Sequence, residues 1–198
     1  MRDLLINNCL KYIGVPYVWG GESRAEGGFD CSGFVYRVLN DTGLKVTRTT
    51  AQGYYSKFKD NPCGMQTRGA LIFFGKSTSS ITHVAISDGH GKMYESIGGK
   101  KNTRTNPGKG VTLSSITRRG DLVAACDPLA KILSPFYPKY TGSSVKLDEI
   151  LKTVGAPFGS VNNRKKLANI NGIVNYKGGL IQNLKLIALA KSGKLVRV

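Results

Sequence analysis

With 198 residues and 40% apolar content, the chain has room for one ordinary globular domain and a small appendage, and it contains no apolar run near the ~20 residues of a membrane span. A formal net charge of +17 implies a polyanionic partner, and nucleic acid, an anionic membrane face and anionic cell-wall polymers all carry that chemistry. Nucleic acid is set aside, because no nucleic-acid motif occurs and aromatic residues do not interleave the basic clusters as a stacking platform requires.

The opening Met1-Arg2-Asp3-Leu4-Leu5-Ile6 meets an acid at once and has only a short apolar stretch, so it does not read as a secretory signal. The expectation is a protein made and kept in a cytoplasm until something else releases it. Apolar Leu4, Leu5, Cys9 and Tyr12 at helical spacing predict a helix over 3–13, ended by Gly14-Val15-Pro16. A glycine-rich loop follows. Phe34, Val35, Val38 and Leu39 predict a second helix over 31–41, with Asp30 as its N-cap and Cys31 in its first turn. Thr49-Thr50-Ala51-Gln52 has the capping-box pattern, Thr then Gln three later, for a third helix to about Phe58. Beyond it the period changes to alternation, at 71–74, 82–88, 92–97, 111–113 and 122–126. Helices first and strands second mean an α+β domain.

Residues 134–145, with Pro135, Pro138 and a polar end, read as a linker between a domain over 1–133 and a small basic helical domain over 146–198. The latter carries +8 of the net charge. Leu147, Ile150 and Leu151, then Leu180, Leu184 and Ile187 on a helix closed by Gly193, suggest a small bundle with a marginal core.

The four cysteines, Cys9, Cys31, Cys63 and Cys126, stand far apart with no Cys-x-x-Cys pair. That argues against a zinc ribbon or a dense disulfide framework, and no metal or cofactor is called for. Cys9 and Cys126 have apolar surroundings and read as core residues; Cys63 follows Pro62 in a turn and reads as incidental. Cys31 differs from them. A thiol in the first turn of a helix faces the positive end of the backbone dipole and unpaired amides, which favour the thiolate, although a helix-start cysteine is also an ordinary buried residue. Ser32 and Gly33 leave room for a substrate, and the Cys31 amide is placed to hold an oxyanion.

Only His83 and His90 can serve such a thiol as base. His90 lies in the turn sequence Asp88-Gly89-His90-Gly91 and reads as solvated, whereas His83 starts a strand beside small Ala85 and Ser87. A hairpin centred on Gly89 sets Glu95 directly opposite His83, close enough for its carboxylate to fix the imidazole. The bland alternative is a half-exposed cross-strand ion pair.

These residues resemble the NlpC/P60 cysteine peptidases. The resemblance rests on Gly14-Val15-Pro16-Tyr17-Val18-Trp19-Gly20-Gly21, Phe29-Asp30-Cys31-Ser32-Gly33-Phe34-Val35 and Thr47-Arg48-Thr49-Thr50-Ala51-Gln52. It continues through Ile72-Phe73-Phe74, Thr82-His83-Val84-Ala85-Ile86 and Gly91-Lys92-Met93-Tyr94-Glu95. It implies a papain-like α+β fold, N-terminal helices packed on a small antiparallel sheet, and hydrolysis of peptidoglycan stem peptides, most often between D-γ-glutamate and the diamino acid. Cys31 matches the nucleophile, His83 the base and Glu95 the third polar position. Tyr17 matches the tyrosine near the oxyanion, and Asp30, Ser32 and Arg48 match positions that shape the stem-peptide subsites. The third position is more often histidine in the family, so Glu95 is a departure expected to raise the His83 pKa. Gly69-Ala70 departs from the usual Gly-Asp. The related CHAP amidases use an acidic third residue, which keeps open an N-acetylmuramoyl-L-alanine amidase; a catalytically silent wall-binding protein is a further alternative.

In the C-terminal part, Asn163-Arg164-Lys165-Lys166-Leu167 is faintly similar to wall-binding repeats of phage lysins. With the two-part layout and the charge, it points to a phage endolysin that acts on the wall after release from the host cytoplasm, with peptidoglycan and anionic wall polymers as partners.

Overall fold

The computed structural model describes the backbone of residues 1–198 and every side chain but that of Leu133. It divides into two compact units, Met1–Ala130 and Lys131–Val198. The first opens with α1 (Arg2–Leu10), a short ribbon of β1 (Glu22–Ser23) and β2 (Gly28–Phe29), then α2 (Cys31–Asp41) and α3 (Ala51–Phe58). Five strands follow: β3 (Leu71–Ser77), β4 (Ser80–Ser87), β5 (Lys92–Ile97), β6 (Gly110–Ser115) and β7 (Leu122–Cys126), with a single 3₁₀ turn at Ile116–Arg118. They form one antiparallel sheet in the order β6-β5-β4-β3-β7. This is the expected α+β architecture, helices on a small antiparallel sheet.

Alternation along the strands builds two apolar layers. Leu71, Phe73, Val84 and Ile86 join Leu5, Cys9, Phe34, Val38, Leu39 and Tyr54 in the main core. Ile72, Phe74, Ala85, Met93 and Ile116 form a smaller cluster from the other strand positions.

Three local expectations need correction. Leu4 is exposed rather than on the buried stripe of α1, where Ile6 and Asn8 lie instead. The cap of α3 is Thr50, whose hydroxyl accepts from the Gly53 amide at 3.1 Å. Gln52 does not reach back to the cap; its amide accepts from Ile81 N at 2.8 Å and donates to Thr78 O at 3.0 Å, tying the start of β4 to α3. The β4–β5 hairpin is centred on His90, not Gly89, because Asp88 Oδ1 accepts from both His90 N (2.7 Å) and Lys92 N (3.0 Å) and so rounds out the turn. The recorded pairs are Ile86↔Tyr94 and Ser87↔Met93, so Glu95 is not directly opposite His83. The register differs by two residues, which keeps both side chains on one face and makes them diagonal neighbours.

In the second unit, after the one-turn α4 (Ala130–Leu133), come α5 (Leu147–Val154), α6 (Val161–Ile170) and α7 (Leu180–Ser192). Gly155 and Gly193 close α5 and α7 in the left-handed conformation, at φ 75° and 74°. The segment 134–145, expected as a linker, is instead part of this unit. Tyr137 and Tyr140 are buried in its core, and their amides donate to Leu195 O (2.8 Å) and Ala190 O (2.9 Å). The buried face of α7 is also not the expected one: Leu180 and Leu184 are 74% and 53% exposed, while Leu186 and Ala190 are enclosed. Among the described residues, no helix is long and apolar enough to cross a membrane.

Candidate active site

Asp30 determines where α2 begins. Its Oδ1 accepts from the Gly33 amide at 2.6 Å, as an N-cap must, and from Ser32 Oγ at 2.9 Å; its Oδ2 accepts from Gly20 N at 3.1 Å and Arg48 Nη2 at 2.8 Å. Cys31 is thereby the first helical residue, with an amide that has no intrahelical partner, and its side chain is only partly buried. Gly33 lets the helix start sit against the preceding loop: a β-carbon there would lie 2.0 Å from Gly21 O.

His83 comes from β4 and is 9% exposed. Its Nε2 faces Glu95 Oε2 at 2.8 Å, and Cys31 is near enough to act on the protonation of the same ring, so thiol and carboxylate both bear on the imidazole. With Nε2–H donated to Glu95, the neutral ring keeps its lone pair on Nδ1 for the thiol. Burial opposes the charged ring, but Cys31 and Glu95 outweigh it and the pKa of His83 is pushed up to about 9. Burial likewise opposes ionisation of Glu95, yet donors from His83, Arg118 and Ser114 hold it down at about 2. The ring of Phe74 packs against His83 at a centroid distance of 5.9 Å.

Of the other expected site residues, Tyr17 is buried and close enough to Cys31, Asp30 and Arg48 to feel their charges. Burial first, then Cys31 and Asp30, push its phenol up. Asp30 and Ser32 are buried and committed to one another and to Arg48, whose Nη1 donates to Ser32 Oγ at 2.8 Å and whose Nε pairs with Glu22 at 3.2 Å. They form a brace at the start of the helix that carries the thiol, and within it Arg48 keeps the most exposure. His90 is exposed and apart from the site, as expected.

Arg118 and Ser114 escaped the sequence reading. The Ser114 hydroxyl donates to Glu95 Oε1, and Arg118 clasps the carboxylate with Nε to Oε1 at 3.0 Å and Nη2 to Oε2 at 2.8 Å. Their approach depends on the β5–β6 register, Met93↔Ser114 and Glu95↔Thr112, and on the turn after it; no local sequence signal marks either.

The NlpC/P60 family model matches residues 14–117. The bifunctional muramidase/DL-endopeptidase CwlT of Bacillus subtilis is 41% identical over 96 residues, 48% of this chain and 29% of that protein. A γ-D-glutamyl-L-lysine dipeptidyl-peptidase of Bacillus cereus is 34% identical over 96 residues, 48% of this chain and 28% of that protein. The chain thus spans under a third of the length of these curated relatives. Among solved structures, an NlpC/P60 family protein from Bacillus cereus superposes with a TM-score of 0.55 at 26% identity, over 65% of this chain and 40% of that one.

Proposed function

Because the chain belongs to the NlpC/P60 family, we propose that it is a peptidoglycan hydrolase that cleaves stem peptides, with Cys31 as nucleophile, His83 as base and Glu95 as the residue that orients the imidazole. The single observation carrying this reading is His83 held by Glu95 Oε2 at 2.8 Å and under the influence of the Cys31 thiol at the start of α2. The thiol proton passes to Nδ1, and the thiolate adds to the amide carbonyl, whose oxygen is received by the free Cys31 amide. The imidazolium then returns its proton to the leaving amine as the C–N bond breaks. Water, deprotonated by the neutral ring, cleaves the thioester and restores the thiol.

The bond proposed is that between D-γ-glutamate and the diamino acid, in keeping with the activity named for the Bacillus cereus relative. Purified sacculi digested with the protein and examined by mass spectrometry decide it: new glutamyl and diamino-acid ends support the endopeptidase, and new N-terminal alanine an amidase. Cys31→Ala should abolish fragment release while wall binding persists. Undiminished release by that variant would reject the assignment.

For the second unit we propose wall binding, as in a two-part endolysin. It carries +10, and a hollow of about 690 Å³ on it is lined by Val161, Lys165, Asn169, Asn175, Tyr176 and Lys177, two ammonium groups with no carboxylate among them. That lining suits an anionic wall polymer.

A further inference from the structure

Glu95 is 0% exposed, and a buried carboxylate without compensation recovers its proton or draws in a counter-charge. The counter-charge is Arg118. Its two parallel bonds, at 3.0 and 2.8 Å, engage both carboxylate oxygens, and the oxygen that receives Nη2 is also the one that receives His83 Nε2. The Arg118 side chain remains 41% exposed while that of Glu95 is 0% exposed, so the pair is buried at its carboxylate end and partly solvated at its arginine end.

The chain places this arginine firmly. Ile116 is buried in the cluster of Ile72, Phe74, Ala85 and Met93, and its amide donates to Gly91 O at 3.1 Å. Ser115 caps the 3₁₀ turn, which carries Arg118 to Glu95. The next residue, Arg119, lies 5.0 Å over the Phe74 ring and is paired with Asp121 at 2.6 Å. Two consecutive arginines therefore brace the two side chains, Glu95 and Phe74, that flank the imidazole.

We propose that Arg118 is a positioning residue for the catalytic set: it clamps Glu95 in the geometry that orients His83 and cancels enough of the carboxylate's charge to keep the imidazole able to cycle its proton. This rests on the reading of Cys31, His83 and Glu95 as the reacting groups. An uncompensated Glu95 would hold the imidazolium too tightly, because hydrolysis of the thioester needs the neutral ring, and a carboxylate freed on one side would no longer fix the ring plane.

The test uses the full chain with Arg118→Gln, Arg118→Lys, Glu95→Gln and the Arg118→Gln/Glu95→Gln pair. One readout is independent of turnover: NMR titration of the His83 imidazole in a Cys31→Ala background, with exposed His90 as internal reference. Arg118→Gln should raise the His83 pKa by about one unit, Arg118→Lys should leave it near the parent value, and in the Glu95→Gln background the Arg118→Gln shift should shrink below about 0.3 unit. With Cys31 intact, Arg118→Gln should lower kcat about tenfold with KM little changed and move the alkaline limb of the pH profile upward; Arg118→Lys, which keeps the charge but not the bidentate clamp, should recover part of kcat.

A His83 titration unmoved by Arg118→Gln, or moved equally when Glu95 is already Gln, overturns the proposal. Should Arg118→Gln fail to fold, Arg118→Lys carries the test, and a fully parent-like kcat in that variant would sink the clamp. The titration reads the coupling whether or not the wall is cleaved, so failure of the hydrolase reading stays distinguishable from failure of this one.

Discussion

Replacing Asp30 by alanine removes a helix cap and the counter-charge of Arg48 in one step. The lost cap, the 2.6 Å bond to Gly33 N, is worth about 1 kcal/mol. The charge-assisted bond to Arg48 at 2.8 Å contributes about 1.5–3 kcal/mol more when its loss leaves a partly buried guanidinium short of a partner. Arg48 keeps Glu22 at 3.2 Å, which places the loss toward the lower end, so Asp30→Ala should destabilise the first unit by about 3 kcal/mol. Asp30→Asn keeps an acceptor for Gly33 N but turns an amide toward Gly20 N and Arg48, and should cost about 1–2 kcal/mol. Urea unfolding followed by tryptophan fluorescence suits the measurement, since Trp19 is the chain's one tryptophan and lies in the first unit. The same change loosens the turn that carries Cys31, so hydrolysis should fall by about 10²-fold in Asp30→Ala even where the protein is still folded. A loss of stability under about 1 kcal/mol in Asp30→Ala, or an Asn variant as damaged as the Ala variant, would refute the view of Asp30 as cap and counter-charge together.

The remaining expectations concern pH and the second unit. His83 has a folded-state pKa of about 9 against an ordinary 6.5, so its stabilising contribution is complete below about 6.5 and disappears as pH rises through 9. Glu95, held at about 2 against 4.5, contributes fully above 4.5 and loses its contribution as pH falls toward 2. The alkaline limb of kcat/KM should accordingly lie near 9, and Glu95→Gln should move it down; a limb that stays in place in that variant contradicts the coupling. Lys165→Glu with Lys177→Glu should weaken wall binding in a sedimentation assay at low salt and flatten its salt dependence, and unchanged binding would remove the hollow they line from consideration.

Legibility in the sequence followed the range of the interaction. Asp30, Cys31 and Gly33 are local, and the cap, the helix start and the thiol's place in it were readable from adjacent residues. The approach of His83 to Glu95 was readable only through parity: any even shift keeps both on one face, and the shift of two imposed by the Asp88 turn did so. Arg118 was unreadable because its position depends on a strand register and a one-turn helix in succession. In α7 the apolar residues Leu180, Ile181, Leu184, Leu186, Ile187 and Leu189 cover more than one face, so periodicity alone did not select the side that packs. Pro135 and Pro138 argued for a spacer, while Tyr137 and Tyr140 between and beyond them supplied the burial that makes the segment part of a core.

The seating of those two tyrosines bears on how the chain can be divided for recombination with other domains. A cut after residue 145 would strip Tyr137 and Tyr140 from the helical unit and leave the C-terminal tail without its bridge between Phe136 and Val196. A cut at 130/131 keeps both rings, that bridge and the Asn171 amide, which holds Val196 at 2.7 and 3.1 Å, within a single fragment. Chimaeras spliced at the earlier point should inherit a folded passenger, whereas those spliced at the later one should inherit helices with an open seam.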